Sequence, residues 1–178
     1  TYFADCITKT SATFTANAGV FGKVYFPRLI MPLSILVSNL IKFGIQFLIF
    51  LLTWLYFIFT TDNVIHPQWQ YIWLLPILVF MMAGLGLGLG IFISSLTTKY
   101  RDLTFLVGFG VQLLMYASSV VLPISTMSDK IKLLMLLNPL TSIIEAFKFI
   151  FLGSGYFEGI WIVYGFSCMS LLIVISVI

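Results

Sequence analysis

The chain has 178 residues, of which 61% are hydrophobic and 8% charged, and its formal net charge is +3. Soluble domains carry about 25% charged residues, so this composition excludes an ordinary globular protein. The apolar runs are continuous, which excludes a barrel of alternating strands, and the small scattered charge does not indicate nucleic-acid binding. We therefore predict an all-α fold, a polytopic helical bundle integral to a membrane.

The first part of the chain is its least apolar part. Residues 1–22 are rich in Thr, Ser and Ala. We expect them to be the inner end of a helix whose apolar body precedes the sequence. The chain would then be a fragment of a longer protein. An elbow follows at 23–32, KVYFPRLIMP, where two prolines interrupt a basic and aromatic stretch. Proline interrupts regular structure, and the stretch is basic. We therefore expect the elbow to lie in water and not in the bilayer.

The first long apolar run, 33–59, is predicted to be a transmembrane helix, because about 20 apolar residues span the hydrocarbon core. Asn39, Lys42 and Gln46 have the spacing i, i+3 and i+7, which places them on one helical face. A charge inside the bilayer is costly. Lys42 therefore either reaches the nearer headgroups or faces a wet interior, and the matching polar face favours a translocation path.

Three further spans are predicted, at 71–96, 104–123 and 160–178. In the first of them, glycines 84/88 and 86/90 have the small-xxx-small spacing that lets helices approach closely. A polar turn with Lys99 and Arg101 separates the first two of these spans. Tyr116, in the span 104–123, is a further candidate for the path.

Residues 125–153 contain two apolar segments that are each too short to cross a bilayer. Read as one span, they would put Asn138 and Pro139 in its middle and the charges of Glu145 and Lys148 in hydrocarbon. Two short helices joined at Asn138-Pro139 fit better, because proline suits the first helical position. Ser142 and Glu145 offer a variant of the capping box. The segment is predicted to be a hairpin, either re-entrant or interfacial.

Orientation follows from the basic residues, which are enriched in cytoplasmic segments. Residues 1–32 and 97–103 carry Lys and Arg, whereas the loop 60–70 carries none. This pattern predicts that the elbow and the Lys99 turn are cytoplasmic and that the hairpin lies outside.

The sequence carries no sign of an enzyme. Gly22-Lys23 is followed by Val24, so there is no phosphate loop, and no HExxH motif, paired carboxylates or Ser/His/Asp cluster is present. We predict that the chain has no catalytic site and binds no cofactor or metal. If it moves a substrate uphill, another subunit supplies the energy.

Three blocks carry a family resemblance: KVYFPRLIMPLS at 23–34, TTKYRDLTFLVGFGVQLLMYASSVVLPIS at 97–125 and LLMLLNPLTSIIEAFKFIFLG at 133–153. In this order they resemble the permeases of ABC-2-type polysaccharide exporters, which export O-antigen, capsular polysaccharide or teichoic acid. The resemblance implies six helices per subunit and a pair of such subunits bound to two ATPase subunits, which carry ATP and Mg²⁺. The chain would run from the end of the second helix into the sixth.

The resemblance also assigns roles to residues. It implies that the region Asn17–Arg28 is a coupling helix docked on the ATPase, and that 125–153 forms two outer gate helices before the last span. The residues of this chain that are expected to contact the ATPase are Lys23, Tyr25, Phe26 and Arg28. The gate residues are expected to be Asn138, Pro139, Glu145 and Lys148. Candidate rings for stacking on sugars are Tyr116, Phe147, Phe149 and Phe151.

The resulting hypothesis is a homodimeric permease in the inner membrane of a bacterium that moves lipid-linked polysaccharide outward. One alternative is an ABC-2 permease for drugs or small lipids, which would share the architecture. Alternatives from other classes are a membrane glycosyltransferase, which would need catalytic residues in a large outer loop, and an ATP-independent flippase, which would purify without an ATPase.

Overall fold

The computed structural model describes residues 1–17, 19, 29–60, 67–100, 102–120 and 129–177. These residues form helices and turns, without a strand. The helices are α1 (Tyr2–Ser11), α2 (Thr13–Ala16), α3 (Ile30–Thr60), a 3₁₀ helix (Trp69–Leu74), α4 (Leu75–Lys99), α5 (Leu103–Tyr116), α6 (Asp129–Leu136), α7 (Pro139–Leu152) and α8 (Gly159–Val177). The all-α prediction is confirmed.

Long apolar helices identify the chain as a multi-pass membrane protein. Among the described residues, three helices are long and apolar enough to cross a bilayer: Ile30–Thr60, Trp69–Lys99 and Gly159–Ser176. The pair α6 and α7, which is bent by 100° at a short break, would make a fourth crossing if counted as one span. In the apolar part of Trp69–Lys99, 56% of the residues are buried, compared with 6% in Ile30–Thr60 and 11% in Gly159–Ser176. The helix α4 is therefore the most enclosed of the long helices.

Two of the elements differ in extent from the segments predicted for them. The elbow was predicted at 23–32, but α3 begins at Ile30, and Pro32 lies in its first turn, where a missing N–H group costs little. The span predicted at 104–123 corresponds to α5, which ends at Tyr116 and has 14 residues. At 1.5 Å per residue, α5 covers only about 21 Å, and residues 117–120 after it form turns.

The chain divides into two compact units, and α3, α4 and α8 each contribute residues to both. Unit 1 comprises Thr1–Ile41, Ala83–Met115 and Cys168–Ile178, and unit 2 comprises Lys42–Met82 and Tyr116–Ser167.

Unit 1 is organised around the four glycines of α4. A Cβ atom on Gly86 would lie 2.9 Å from the Cβ of Cys6, and one on Gly90 would lie 2.6 Å from the Cβ of Thr10, so this pair faces α1. The pair Gly84 and Gly88 faces α8 instead, where it meets Met169, Leu172 and Ile173. Residues two apart on a helix point about 200° apart, so α4 has close contact on two nearly opposite sides. The predicted close approach of helices is confirmed.

Unit 1 also contains an apolar cavity of about 280 Å³ between α1, α4 and α5. Its lining includes Ile7, Leu89, Ile93, Val107 and Val111. Near the end of α4, the hydroxyl of Thr97 donates a 2.9 Å hydrogen bond to the carbonyl of Ser11, which fixes the end of α1 against α4.

Unit 2 is built around α7. The bend between α6 and α7 lies against the first part of α8, where the hydroxyl of Tyr164 donates a 3.0 Å hydrogen bond to the carbonyl of Leu137. A Cβ atom on Gly165 would lie 2.9 Å from the Cε of Met81 and 3.4 Å from the Oγ of Ser142, so α8 packs closely on α4 and α7 here.

Candidate functional site

The residues predicted to contact an ATPase, Lys23, Tyr25, Phe26 and Arg28, lie outside the described residues, as does Arg101 of the predicted cytoplasmic turn. Lys99 is described at the end of α4. It is exposed, and its ammonium lies 5.4 Å from the centre of the Tyr100 ring. The assignment of these residues to a coupling surface stays a prediction.

The residues predicted to line a path lie in different environments. Asn39 is 2% exposed, and its amide oxygen accepts a 2.8 Å hydrogen bond from the ammonium of Lys9. Its amide nitrogen donates to the Sγ of Cys6 at 3.7 Å, so Asn39 joins α3 to α1 within unit 1. Lys42 and Gln46, further along α3, are exposed, as is Tyr116 at the end of α5.

The break between α6 and α7 follows the chemistry predicted for it. Asn138 is the N-cap of α7, and its side-chain oxygen accepts a 3.1 Å hydrogen bond from the amide of Leu140. Pro139 occupies the first helical position, where no amide hydrogen is required. Together they begin a helix directly after the previous one ends, which produces the 100° bend.

The capping box predicted from Ser142 and Glu145 is wrong. The N-cap is Asn138, four residues earlier than the box requires, because an Asn side chain directly before a proline satisfies the free amide at the helix start. Ser142 instead donates its hydroxyl to the carbonyl of Pro139 at 2.8 Å. Glu145 is thus free to bind elsewhere.

Glu145 is the buried acidic centre of α7. It is 3% exposed, and each of its carboxylate oxygens accepts one hydrogen bond. The ammonium of Lys148 donates to Oε1 at 3.0 Å, and the backbone amide of Tyr156 donates to Oε2 at 3.1 Å. Lys148 also donates to the carbonyl of Ser119, in the turn after α5. These contacts neutralise a charge that would be costly to bury alone.

The chain between α7 and α8 covers this ion pair. Gly153 ends α7 with a φ of 67°, a left-handed conformation that glycine adopts without strain. A Cβ atom on Gly155 would lie 2.7 Å from the carbonyl oxygen of Glu145, so the chain there runs directly against the helix backbone. This close approach brings the amide of Tyr156 to the Glu145 carboxylate.

Tyr156 links this connection to α6. The ammonium of Lys132 lies 3.6 Å from the centre of its ring, close enough for a cation–π interaction. The hydroxyl of Tyr156 donates to the carboxylate of Glu158. That bond is the largest cause of the raised pKa of the Tyr156 hydroxyl, because it is lost when the phenol ionises.

A second cluster, made of aromatic rings, surrounds Phe151 at the end of α7. Phe47, Phe50 and Trp54 of α3 all contact its ring, with centroid distances of 5.9, 5.1 and 5.4 Å. Phe151 is 3% exposed. Its ring is therefore taken up by packing within unit 2, although the sequence had suggested it as a stacking platform.

The other two rings suggested for stacking are less enclosed. Phe149 stacks on Phe157 at a centroid distance of 5.0 Å and an interplanar angle of 7°, and it also contacts Tyr71. Phe147 stacks on Phe151 at 6.5 Å. Both are half-buried. They present part of each ring at the surface of unit 2, and a role in stacking on a sugar stays a prediction.

Comparison with known proteins matches residues 1–152 to the ABC-2 type transporter family. The chain belongs to this family. The match covers α1 to α7, and with it the hairpin, the ion pair and the aromatic cluster.

Named relatives of this ABC-2 chain are permeases. It is 29% identical over 164 residues to the O-antigen export system permease protein RfbA of Klebsiella pneumoniae, covering 92% of this chain and 61% of that protein. It is 24% identical over 154 residues to the protein of the same name from Myxococcus xanthus, covering 84% of this chain and 56% of the relative. The chain thus spans about three fifths of the length of these relatives.

Sequence reasoning missed several residues that surround the ion pair and the end of α7. Ser119, Gly155 and Tyr156 hold the Glu145–Lys148 pair, and Trp54 holds the end of α7. The spacing of Glu145 and Lys148, i and i+3, is the one signal that was available, since residues so spaced are neighbours on a helix. The other contacts join residues distant in sequence, for which no local pattern exists.

Proposed function

We propose that this chain is the membrane-spanning permease subunit of an ATP-driven exporter that moves lipid-linked polysaccharide outward across the inner membrane of a bacterium. The observation that carries the proposal is the similarity to O-antigen export permeases over 92% of the chain, at 29% identity. Family membership over residues 1–152 supports the transport class.

The proposal includes two kinds of protein partner. One is an ABC ATPase subunit, which binds ATP and Mg²⁺, and the other is a second copy of the chain. The elbow is the proposed contact with the ATPase, because aromatic and arginine side chains are typical anchors of protein interfaces. Tyr25, Phe26 and Arg28 supply these side-chain types, and Lys23 adds a second positive charge, within six residues.

The proposed cycle is a movement of helices driven by the ATPase. Closure of the motor would push the elbow, whose last residues, from Ile30 on, belong to α3. The other end of α3 carries Trp54, which contacts α7 of the hairpin. A displacement of this continuous helix is therefore a direct route from the elbow to the proposed outer gate.

The test is co-expression of the full-length protein with the ATPase encoded beside it. We expect the two to purify as a complex in which ATP hydrolysis depends on the permease, and we expect cells lacking the permease to lose their surface polysaccharide. A permease that purifies alone and still restores the polysaccharide would contradict the ATP-driven mechanism. A complex that restores efflux of a small amphiphile but no polysaccharide would favour the drug or small-lipid exporter.

A further inference from the structure

Lys148 joins the hairpin to a segment that lies well before it in sequence. Its ammonium donates to the carbonyl of Ser119, 29 residues earlier, in the turn that leads from α5 toward the hairpin. Lys148 itself lies near the end of α7, in the second half of the hairpin. The bond therefore closes the hairpin onto the segment from which it starts.

The partners of Glu145 are distributed differently. Lys148 is three residues away on the same helix, and Tyr156 follows eleven residues later, in the connection that runs directly against α7. All three groups are carried by the segment 145–156. They would move together if α7 moved.

This difference determines which bond can break without isolating a charge. Separating Lys148 from Ser119 leaves the ammonium paired with Glu145 and frees a neutral carbonyl, whose lost hydrogen bond costs less than an isolated charge. Separating Glu145 from Lys148 would leave a buried carboxylate without its cation, and an unpaired buried charge is strongly unfavourable. The bond to Ser119 is therefore the weak point.

Other hydrogen bonds hold the end of α7 and the bend between α6 and α7. The indole of Trp54 donates to the carbonyl of Phe151, and the amide of Gln68 donates to the carbonyl of Ile150 at 3.0 Å. At the bend, Tyr164 of α8 binds the carbonyl of Leu137. These bonds fix the end of α7 and the bend of the hairpin, whereas the side chain of Lys148 fixes the second half of α7 to the turn after α5.

We propose that Lys148 is a clasp that opens at Ser119 while its charge stays paired with Glu145. Release lets the turn after α5 separate from α7, while the contacts at Trp54 and Tyr164 keep α7 attached at both ends. The inference rests on the proposed export function, because it concerns how the outer hairpin would open during transport. In that role Lys148 is a positioning residue, since it acts through the hairpin.

The test measures how often the clasp opens, using a cysteine as reporter. Ser119 is fully buried, and Ser119→Cys keeps the backbone carbonyl that Lys148 binds. The reporter is placed in the full-length protein after Cys6→Ser and Cys168→Ser, and its reaction with a hydrophilic maleimide is timed in mild detergent. Leu78→Cys, at a fully buried residue of α4 in the same unit 2, is the control for general loosening of that unit.

With Lys148 intact, we expect Ser119→Cys to react slowly. Lys148→Met, which keeps the length of the side chain but removes the donor, should raise the rate at least tenfold, and Lys148→Arg, which keeps a donor, should restore slow labelling. The control at Leu78→Cys should stay slow in every background. An unchanged rate in Lys148→Met would overturn the clasp, as would an equal rise at both reporters, which would make Lys148 a general stabiliser.

The labelling needs neither an ATPase nor a transported substrate. A protein that fails to bind the ATPase would therefore contradict the proposed function without changing the labelling result. Conversely, a complex with permease-dependent ATP hydrolysis whose reporter ignores Lys148→Met would leave the proposed function standing and exclude the clasp.

Discussion

The indole N–H of Trp54 donates a 2.9 Å hydrogen bond to the carbonyl oxygen of Phe151, 97 residues later in the chain. The last four carbonyls of a helix have no partner within it. In α7, Phe149 finds one in the amide of Gly153, Ile150 in the amide of Gln68 and Phe151 in Trp54. A membrane offers no water to replace these donors, so the end of α7 depends on α3 and on the chain before the 3₁₀ helix.

Trp54→Phe should destabilise the protein, because it keeps an aromatic ring in the cluster but leaves the carbonyl of Phe151 without this donor. A buried polar group without a partner costs about 1–3 kcal/mol. The melting temperature in detergent measures the effect. Trp73→Phe, at a residue that is 64% exposed, is the control and should change little. Equal melting temperatures for the two variants would show that the hydrogen bond contributes nothing.

Gly90→Ala should also destabilise, since the new methyl group would lie 2.6 Å from the Cβ of Thr10. Overpacking of this kind costs about 1–3 kcal/mol. Gly108→Ala is the matched control, because a Cβ there has nothing within 4 Å, and replacing a helical glycine should stabilise by about 0.5–1 kcal/mol. Thermal unfolding should separate the two variants in sign, and a gain in stability for Gly90→Ala would refute close contact with α1.

Glu145→Gln should weaken unit 2, because it removes the negative partner of Lys148 while keeping the side-chain shape. Breaking a buried ion pair costs about 3–5 kcal/mol, and the partial exposure of Lys148 reduces this. Glu158→Gln, which alters the exposed bond from Tyr156, is the comparison and should cost less than about 1 kcal/mol. Proteolysis of the purified protein reports both. The assignment of Glu145 as the buried centre fails if the two variants are equally resistant.

Asn39→Leu and Gln46→Leu should differ, although sequence spacing places both residues on one face of α3. Asn39 binds Lys9 and Cys6, so its loss should lower stability by about 1 kcal/mol, as measured by thermal unfolding. Gln46 is exposed, and its replacement should leave the melting temperature unchanged. If both substitutions instead reduce export without changing the melting temperature, Asn39 belongs to the translocation path and its contact with α1 does not contribute to stability.

Replacing Lys23, Tyr25 and Phe26 together with alanine should uncouple ATP hydrolysis from export. Interface anchors contribute about 2 kcal/mol or more each. The affinity for the ATPase should therefore fall by more than about tenfold. Membrane insertion, checked by fractionation, should be normal. Lys130→Ala removes a charge of the same sign from the exposed face of α6 and serves as the control. Unchanged export in the triple variant would eliminate the elbow as a coupling contact.

Local chemistry was readable from the sequence where neighbouring residues determine it. Asn138 and Pro139 identified the hairpin break because a cap and a proline act within one turn of helix. The glycine spacing in α4 predicted close approach, but it could not say that Gly86 and Gly90 meet α1 whereas Gly84 and Gly88 meet α8.

The surroundings of individual side chains could not be predicted from the sequence in the same way. In a membrane protein an aromatic ring is equally compatible with lipid, core or ligand, so hydropathy gave no reason to bury Phe151. Asn39, Lys42 and Gln46 share a helical face, yet α1 covers Asn39 while Lys42 and Gln46 stay exposed. The partners of Glu145 and Lys148 include residues up to 29 positions away, and only the folded chain brings them together.

The attachment of the hairpin bend to α8 has a consequence for biogenesis. The hairpin leaves the ribosome before Tyr164 and Gly165, the residues against which its bend packs. Chains are made from the N-terminus at about 5–20 residues per second, so for a short time the hairpin is complete while its support is not yet synthesised. Its final docking is therefore a late step of assembly, and a chain truncated before Tyr164 would retain every helix of the hairpin but lack the surface that holds its bend.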